Sequence, residues 1–332
     1  MSDPDRIVTH GDFDGIVSAA LVSSAYGIGE IVFTGPVAVT RAEISIGPSD
    51  IVCDLPYPLE CGMWFDHHAG NLEAVRLRGI DPEGIPGRFG TRPSCARVIM
   101  EHLEETGIAP PAHLEETVDE TDVIDSFDYT SVEEWRRETP GKLVDLSLKA
   151  GYADYRERTE YLGRLTVMVR DMTLEEILED DEVRRRIESY RMDEERMLKT
   201  IRDSCGFLAG DEGRELIVID FTKHNRKPRV MRNLAYLIHP GALGSMMIDS
   251  VYRGGRKTND LSVSISLSMN MTGRDHGKDM GEMMRRLGIG DGHPGAAAGM
   301  LRCGSKDEML GEKQRLLDSI WTMWKEMPGP SP

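Results

Sequence analysis

Residues 6–15 read RIVTHGDFDG, an apolar run followed at once by a histidine and two aspartates. The apolar part, residues 6–9, is short and rich in β-branched side chains, so it predicts a buried strand. His10, Asp12 and Asp14 follow at alternate positions. If the backbone stays extended there, these side chains point to the same side. The stretch therefore predicts a strand that delivers one imidazole and two carboxylates to an edge of a sheet.

The same pattern occurs twice more before residue 70. An apolar run at 50–52 precedes Cys53-Asp54, and another at 62–65 precedes Asp66-His67-His68. In an open parallel sheet, ligands bind beyond the carboxyl ends of the strands, so the three clusters would gather at one edge. Alone, each cluster would be read as a turn or a helix cap. Together they indicate a metal site, because several adjacent carboxylates cannot all stay ionised without cations.

Composition sets limits on the partners and the compartment. The chain has 332 residues, enough for two domains with full cores, and a net charge of -17. Counterion release on long nucleic acid needs many basic residues on one face, so no long duplex partner is expected. The five cysteines form no CxxC pair, and the sequence shows neither a signal peptide nor a long apolar stretch. We therefore expect a cytoplasmic protein without disulfides or a membrane span; the oligomeric state is not predicted.

Alternating strand-like and helix-like segments fill residues 6–130, which predicts βαβ units and a mostly parallel sheet. The expected strands are 6–9, 30–33, 50–54 and 63–66, and the expected helices are 16–26 and 94–106, the latter capped by Ser94. Residues 152–206 are rich in Arg and Glu with apolar residues at helical spacing, so they predict two or three helices joining two domains.

From residue 215 the pattern returns to strands, expected at 216–221, 245–252 and 261–270. Strict alternation of apolar residues and serines predicts that the last of these is half-buried. A helix at 278–287, a glycine-rich loop at 288–299 and a closing helix at about 307–326 complete the prediction. The fold class is thus α/β, with a mostly parallel sheet domain joined by helices to a smaller α/β domain.

Ligand type narrows the choice of metal. Mixed oxygen and nitrogen ligands without thiolate favour Mn²⁺, or Mg²⁺, Co²⁺ or iron, over structural zinc. Carboxylates spaced two apart can reach two neighbouring cations, and Asp54, from a separate strand end, could bridge them. Two divalent ions about 3.5–4 Å apart form the usual clamp for hydrolysis at phosphorus. The sequence therefore predicts a dinuclear hydrolytic site.

These motifs resemble those of the DHH phosphoesterases. The first cluster is similar to that family's opening aspartate motif, Asp54 to its second motif, and Asp66-His67-His68 to the signature that names it. The fourth motif is an aspartate after a helix, for which Asp122 and Asp125 compete. We favour Asp125, because the run DSFDY at 125–129 is similar to the oligoribonuclease branch, and keep Asp122 as the fallback.

The C-terminal part resembles the DHH-associated domain. Gly292-His293-Pro294 followed by Ala297-Ala298-Gly299 is similar to that domain's glycine-histidine motif. The chain departs from the family at residues 264–270, which read SISLSMN where many members carry an arginine in Ser-x-Arg-Ser. Arg253 or Arg274 is a candidate substitute. The resemblance implies a catalytic domain at 1–150, a helical linker at 151–208 and a substrate-binding domain at 209–332, with the active-site cleft between them.

The resemblance also implies a division of labour among the residues. One metal would be held by His10, Asp12 and Asp54, and the other by Asp14, Asp54, His67 and Asp125. His68 would contact the phosphate or support a ligand, and Asp66 would orient an imidazole. Substrate contacts would come from Gly292 and His293.

Further substrate contacts are predicted from basic residues. Those that follow the strand at 216–221 form either a solvated loop or a phosphate-binding lining of the cleft, and they are Lys223, Arg226, Lys227, Arg229 and Arg232. Among them we single out Arg226 and Arg229. Arg92, which precedes Pro93-Ser94, is a weaker candidate of the same kind.

The implied activity is hydrolysis of very short oligonucleotides to nucleoside 5′-monophosphates by direct water attack. Alternatives with the same site are a cyclic-dinucleotide phosphodiesterase, an exopolyphosphatase and a phosphatase for 3′-phosphoadenosine 5′-phosphate. An alternative of another class is a nucleotide-binding regulator that has lost turnover, which a missing metal ligand would indicate. No ligand of the first domain is missing from this sequence.

Overall fold

In the computed structural model, which describes residues 4–329, strands and helices are interspersed over residues 6–106, and further helices follow up to residue 202. The α-helices are Phe13–Tyr26 (α1), Pro36–Thr40 (α2), Ala69–Leu77 (α3), Cys95–Thr106 (α4), His113–Ser126 (α5), Val132–Arg136 (α6), Pro140–Lys149 (α7), Tyr155–Asp171 (α8), Leu174–Leu178 (α9), Asp181–Arg202 (α10), Ala235–Ile238 (α11), Met280–Leu287 (α12) and Lys306–Glu326 (α13). None of the helices in the described part of the chain combines the length and apolar character needed to cross a bilayer.

The chain divides into two compact units. The first comprises the chain up to Phe127 together with Glu138–Arg191, and the second comprises Asp128–Arg137 with the chain from Met192 onward. Helices α8 and α9, predicted as part of a linker, belong to the first unit, where α8 packs on α1. Three helices fill residues 155–202, as the helical spacing predicted.

A five-stranded sheet organises the first unit, and every strand pair in it is parallel. Its strands are Arg6–Thr9 (β1), Glu30–Phe33 (β2), Asp50–Cys53 (β3), Met63–Asp66 (β4) and Gly87–Phe89 (β5). The order across the sheet is β2-β1-β3-β4-β5. The predicted parallel sheet is confirmed. Its consequence for function is that β1, β3 and β4, which precede the three acidic clusters, are direct neighbours.

Helix α1 is the central helix of this unit. Its first eleven residues, Phe13 to Ser23, are all buried, as expected for a helix that is small and apolar on every side. Asp12 caps its N-terminus by accepting a hydrogen bond from the Gly15 amide at 3.0 Å. Gly27 ends it in the left-handed conformation, at φ 69°. The first acidic cluster is therefore fixed at the junction of β1 and a buried helix.

The second unit is built on a six-stranded mixed sheet with strand order β10-β11-β9-β8-β7-β6. Its strands are Cys205–Gly206 (β6), Leu216–Asp220 (β7), Gly244–Arg253 (β8), Arg256–Leu267 (β9), Gly290–His293 (β10) and Ala296–Leu301 (β11). Only β7 and β8 pair in parallel among these strands, and β8 and β9 join through Gly254 and Gly255, both at positive φ. Helices α12 and α13 pack on the apolar face, whose core includes Ile265 and Trp324. The predicted smaller α/β domain is thus confirmed.

The predicted loop at 288–299 is wrong in conformation, because β10 and β11 form a hairpin there. Glycine and alanine suit this tight pairing: a Cβ added at Gly290 or Gly292 would overlap β11. The Gly292 amide donates to Asp291 Oδ1 at 2.8 Å, and the Gly295 amide donates to His293 Nδ1 at 3.2 Å. The glycines therefore serve strand packing within this unit.

Candidate metal centre

The three acidic clusters meet at the carboxyl edge of the parallel sheet. His10, Asp12 and Asp14 follow β1, Asp54 follows β3, and the Asp66-His67-His68 run follows β4. Because β3 lies between β1 and β4, Asp54 stands between the other two clusters. The side chains fall into three groups with ligand atoms within 4.8 Å of one another: His10-Asp12-Asp54, Asp54-His67-His68 and Asp14-His67-Asp125. Asp54 and His67 each belong to two groups.

Asp54 is held in a conformation that L-residues seldom adopt. Its φ is 55°, in the left-handed region, and its amide donates to the Phe65 carbonyl of β4 at 3.0 Å. The residue is only 3% exposed, yet its Oδ1 has no hydrogen-bond partner among the described residues. Burial raises the pKa of Asp54 to about 7, with the charge of Asp12 adding to it and a hydrogen bond from His10 opposing it. A buried, unpartnered carboxylate oxygen in a strained turn is one mark of a ligand site.

Asp14 is fixed by backbone amides from another helix. Its two oxygens accept from the amides of Cys95 and Ala96, at 2.7 and 2.8 Å, at the start of α4. Ser94 caps that helix as predicted, by accepting from the Arg97 amide. Burial, followed by the charges of Asp54 and Asp125, raises the pKa of Asp14 well above its usual range. These bonds stabilise the carboxylate against neighbours that repel it.

His67 shows the clearest orientation of any residue in the cluster. Its Nδ1 lies 3.1 Å from the Arg92 carbonyl oxygen, which can only accept, so Nδ1 carries the proton. The other ring nitrogen, Nε2, is buried without a hydrogen-bond partner. It lies 3.3 Å from Asp125 Oδ2 and 3.7 Å from both an Asp14 and an Asp54 oxygen. A ring nitrogen oriented by a carbonyl and aimed among carboxylates is the arrangement of a metal-bound histidine.

His10 and Asp12 form the outer side of the cluster. His10 Nδ1 lies 2.6 Å from Asp12 Oδ2 and 3.5 Å from Asp54 Oδ2. Burial lowers the pKa of His10, but the hydrogen bonds to Asp12 and Asp54 outweigh it and raise the pKa to about 10. The same contact with His10 lowers the pKa of Asp12 despite its burial. Without a cation, the imidazole therefore takes up a proton as the counter-charge of these carboxylates.

Asp66 and His68 form a pair beside this cluster. Asp66 is fully buried and accepts from the His67 amide at 2.9 Å and from Asn71 Nδ2 at 2.7 Å. Its Oδ1 lies 2.9 Å from His68 Nδ1, so that nitrogen donates to it. The hydrogen bond to Asp66 raises the pKa of His68 to about 9. The His68 side chain is 53% exposed, which leaves its ring accessible to a substrate.

The two candidates for the fourth aspartate occupy different environments on α5. Asp125 Oδ2 faces His67 Nε2 at 3.3 Å and belongs to a candidate metal group. Asp122 instead accepts from Ser94 Oγ at 2.6 Å and from Arg97 Nε at 2.8 Å. It thereby ties α5 to the start of α4. Asp125 therefore lies within a candidate metal group, whereas Asp122 bonds to residues at the start of α4.

This difference yields a paired test on one helix. We expect Asp125→Asn to lower kcat/KM for phosphodiester hydrolysis by about 10²-fold or more and to weaken Mn²⁺ binding, because one ligand charge is lost. Asp122→Asn should keep activity within tenfold and should lower the free energy of unfolding by about 1–2 kcal/mol, because it weakens charge-assisted hydrogen bonds. Steady-state kinetics and urea unfolding of both variants decide it. The reverse ranking of activities would make Asp122 the ligand.

The donor set fits divalent cations. Two atoms deprived of partners, Asp54 Oδ1 and His67 Nε2, belong to the residues shared between the candidate groups. Both are hard or borderline donors, and no cysteine of the described residues belongs to the three groups. Burial, followed by the charges of neighbouring aspartates, raises the pKa values of Asp14, Asp54 and Asp125, and cations at these positions would stabilise the ionised carboxylates.

The predicted substrate contacts have a mixed outcome. The Arg92 guanidinium is paired with Glu101 at 2.6 Å, while its carbonyl orients His67. His293 and Gly292 lie on the exposed strand β10 of the second unit. In the same unit, Arg226 and Arg229 are exposed in the loop after β7. Arg253, a candidate for the missing family arginine, pairs with Asp260 at 2.7 Å. The substrate contacts of His293, Gly292, Arg226, Arg229 and Arg92 stay predictions.

Sequence reasoning missed the residues that hold the ligands in place. Three of these contacts come from backbone groups, namely the amides of Cys95 and Ala96 and the carbonyl of Arg92. The fourth comes from the side chain of Asn71, a residue type too common to indicate a site. Ser94 before an amphipathic run was the available signal, since it places the free amides of a helix N-terminus near that point.

No protein-family model matches this sequence, and neither does any curated protein. Solved structures do match. A protein of Vibrio cholerae described as the pGpG-specific phosphodiesterase PggH aligns with 96% of this chain and 99% of its own, at 23% identity and a TM-score of 0.73. A DHH domain from a protein described as belonging to a family of ribosomal proteins aligns with 98% of this chain and 88% of its own, at 11% identity and a TM-score of 0.56.

A third match is RecJ of Thermus thermophilus, solved in complex with Mn²⁺. The alignment covers 98% of this chain but 53% of RecJ, at 15% identity and a TM-score of 0.50. This chain therefore corresponds to about half of RecJ. At these identities the matches establish architecture, and they agree with the motifs found at the three strand ends. The chain has the fold of the DHH phosphoesterases.

Proposed function

We propose that this protein is a metal-dependent phosphodiesterase that hydrolyses short linear oligonucleotides to nucleoside 5′-monophosphates. The observation that carries the proposal is the sharing of Asp54 and His67 between adjacent ligand groups, which suits two neighbouring divalent ions. The PggH description names pGpG, a short oligonucleotide, and RecJ was solved with Mn²⁺. Those descriptions support the substrate class and the choice of Mn²⁺, with Mg²⁺ and Co²⁺ as alternatives.

The residues proposed to hold the cations are those that the family resemblance implies, and the three groups support them. His10, Asp12 and Asp54 would hold one, and Asp14, Asp54, His67 and Asp125 would hold the other. When bound, the cations supply a nucleophilic water at neutral pH and neutralise charge on the phosphate. The Arg92 carbonyl keeps the His67 proton on Nδ1, so that Nε2 would be the atom available to a cation.

The Asp66-His68 pair is suited to handling a phosphate and a proton. With Nδ1 donating to Asp66, the Nε2 atom of His68 is the one that can meet the substrate. In hydrolysis, an oxygen–phosphorus bond forms to water and the bond from phosphorus to the 3′ oxygen breaks. The leaving 3′ oxygen must gain a proton, and the monophosphate departs with one more negative charge. An imidazole with a raised pKa, facing solvent, can donate to that oxygen or to the phosphate.

Product analysis tests the proposal. We would incubate the protein and Mn²⁺ with pGpG, a diadenylate, a five-nucleotide RNA, cyclic di-AMP, 3′-phosphoadenosine 5′-phosphate and polyphosphate, and separate the products by chromatography. The expected result is release of 5′-monophosphates from the linear RNAs, with little turnover of the others and none by Asp54→Asn. Preferred cleavage of cyclic di-AMP, the bisphosphate or polyphosphate would replace the substrate class. Nucleotide binding without turnover of any compound would favour the regulatory alternative.

A further inference from the structure

One arginine of the first unit approaches the metal centre from a helix far along the chain. Arg158 lies on α8, and its Nη2 is 3.4 Å from the carbonyl oxygen of Gly11. Gly11 stands between His10 and Asp12, the two residues of the outer ligand pair. Leu162 and Leu165 of the same helix are fully buried in the core beside α1, so the position of α8 is fixed. The guanidinium is thus presented to the first acidic cluster by a rigid element.

Arg158 differs from its neighbours on α8 because no carboxylate of residues 4–329 pairs with it. Among the described residues of α8, Arg156 pairs with Glu160 at 2.7 Å, Arg170 pairs with Asp171 at 2.7 Å, and Arg164 pairs with Asp180 and Glu182. Arg158 forms no ion pair within 4.0 Å in the part of the chain described, and its one long side-chain bond is to Gly11. In a chain with a net charge of -17, a half-buried arginine without a carboxylate within 4.0 Å among the described residues calls for another partner.

Gly11 provides the space that the guanidinium occupies. A Cβ added at Gly11 would overlap Arg158 Nη2 and would lie 3.1 Å from Leu162 Cδ1. Any larger residue at this position would displace the arginine from the cluster. The glycine between two candidate ligands therefore allows a cation to approach them closely.

We propose that Arg158 binds the phosphate that is hydrolysed and stabilises the charge that develops on it. This inference rests on the proposed function, since it assigns a further substrate contact to the same site. The phosphate being cleaved must lie beside the residues that hold the cations, and Arg158 reaches the backbone between two of them. A guanidinium has five donors in a planar fork, which match two phosphate oxygens, and only one is used by Gly11.

The charge change in the reaction explains the advantage of an unpaired arginine. As water attacks phosphorus and the 3′ oxygen leaves, negative charge grows on the non-bridging oxygens. A donor already held in place stabilises that charge without reorganisation, and its removal typically lowers kcat by about 10²–10³-fold. A protein carboxylate on Arg158 would compete with the phosphate for the same donors. The absence of one within 4.0 Å, among the residues described, fits a site reserved for substrate.

The test compares Arg158→Gln and Arg158→Lys with Arg156→Gln. The last variant is a matched control, because it removes an exposed arginine two positions earlier on the same helix. Each is assayed with Mn²⁺ on a diadenylate with and without a 5′-phosphate. We expect Arg158→Gln to lower kcat by about 10²-fold on both substrates, Arg158→Lys to recover part of the loss, and Arg156→Gln to match the wild type. A loss confined to the 5′-phosphorylated substrate would assign Arg158 to the terminal phosphate and overturn the proposal.

Two binding measurements separate this role from a structural one. Mn²⁺ affinity measured without substrate should be unchanged in Arg158→Gln; a fall in parallel with activity would mean that Arg158 only positions the ligand loop. Inorganic phosphate binding by calorimetry with Mn²⁺ present should weaken about tenfold or more in Arg158→Gln. Equal phosphate binding by both proteins, or none by either, overturns the proposal. Suppose that the wild type cleaves neither diadenylate and still binds phosphate more tightly than Arg158→Gln does. In that case the proposed function fails and the Arg158 contact with phosphate stands.

Discussion

The Asp54→Asn variant is expected to lose about 10³-fold or more in kcat/KM while keeping the wild-type fold. Asp54 is the carboxylate shared by two candidate ligand groups, and its strand β3 lies between the strands that supply the others. An amide has nearly the same shape but no charge, and its nitrogen cannot ligate a cation. Both proposed metal sites are therefore damaged by one substitution, which no other aspartate in the cluster should reproduce as strongly.

The measurement combines kinetics with metal counting. Wild-type protein should bind about two Mn²⁺ per chain, and Asp54→Asn should bind fewer and more weakly, with an unchanged circular dichroism spectrum. Asp122→Asn, which loses a charge outside the cluster, serves as the control and should retain both ions. Turnover by purified Asp54→Asn within tenfold of the wild type would refute a dinuclear centre at this edge.

The sequence predicted that these acidic and histidine side chains would lie together, because they follow strand ends. Once residues 6–9, 50–53 and 63–66 are identified as neighbouring parallel strands, the clusters behind them must converge, whatever the loops do. The apolar runs specify those strands locally, and the structure places them within one residue of the predicted ends. Fold class and the grouping of candidate ligands could therefore be predicted together.

The sequence alone could not decide between Asp122 and Asp125 as the aspartate nearest the cluster. Both lie on α5, three residues apart, so both are on related faces of one helix. Which of them meets His67 depends on how α5 rotates against α4, and that rotation is set by Ser94 and Arg97 binding Asp122. Those contacts join residues 25 to 28 positions apart, which no local pattern reports.

Isolated cations were equally hard to interpret from sequence. Arg92 precedes a helix near the site and is predicted to bind substrate, and the structure adds that its guanidinium pairs with Glu101 on α4. Arg158 lies in a segment where Arg and Glu alternate, and there the default expectation is a solvated face. Only the structure shows that it meets Gly11, 147 positions away in the chain, and that no carboxylate of the described residues neutralises it. Whether an arginine is free to bind substrate therefore depends on the carboxylates that the fold brings next to it.

Removing divalent cations from the wild-type protein is expected to lower its Tm substantially and to reverse its stability relative to Asp54→Asn. Ligand binding to the native state alone stabilises by about 4 kcal/mol at a thousandfold excess over Kd. For a unit of about 150–250 residues that corresponds to roughly 8–16 °C. Chelation should also abolish hydrolysis, and added Mn²⁺ should restore both properties.

The reversed order of melting temperatures follows from the upward shift of the Asp54 pKa on folding. Its folded value of about 7 lies above the usual 3.8, mainly because of burial. The ionised form is therefore disfavoured in the native state, and the penalty grows above the unfolded pKa and is complete above about pH 7. At pH 8 with chelator, Asp54→Asn lacks this penalty and should melt at or above the wild-type temperature. With Mn²⁺ the wild type should melt higher, because only it gains the full binding energy.

Differential scanning calorimetry of both proteins, with and without chelator, measures whether the order of their melting temperatures reverses. A wild type that melts higher by the same margin in both conditions would mean that Asp54 supports the fold rather than a metal centre.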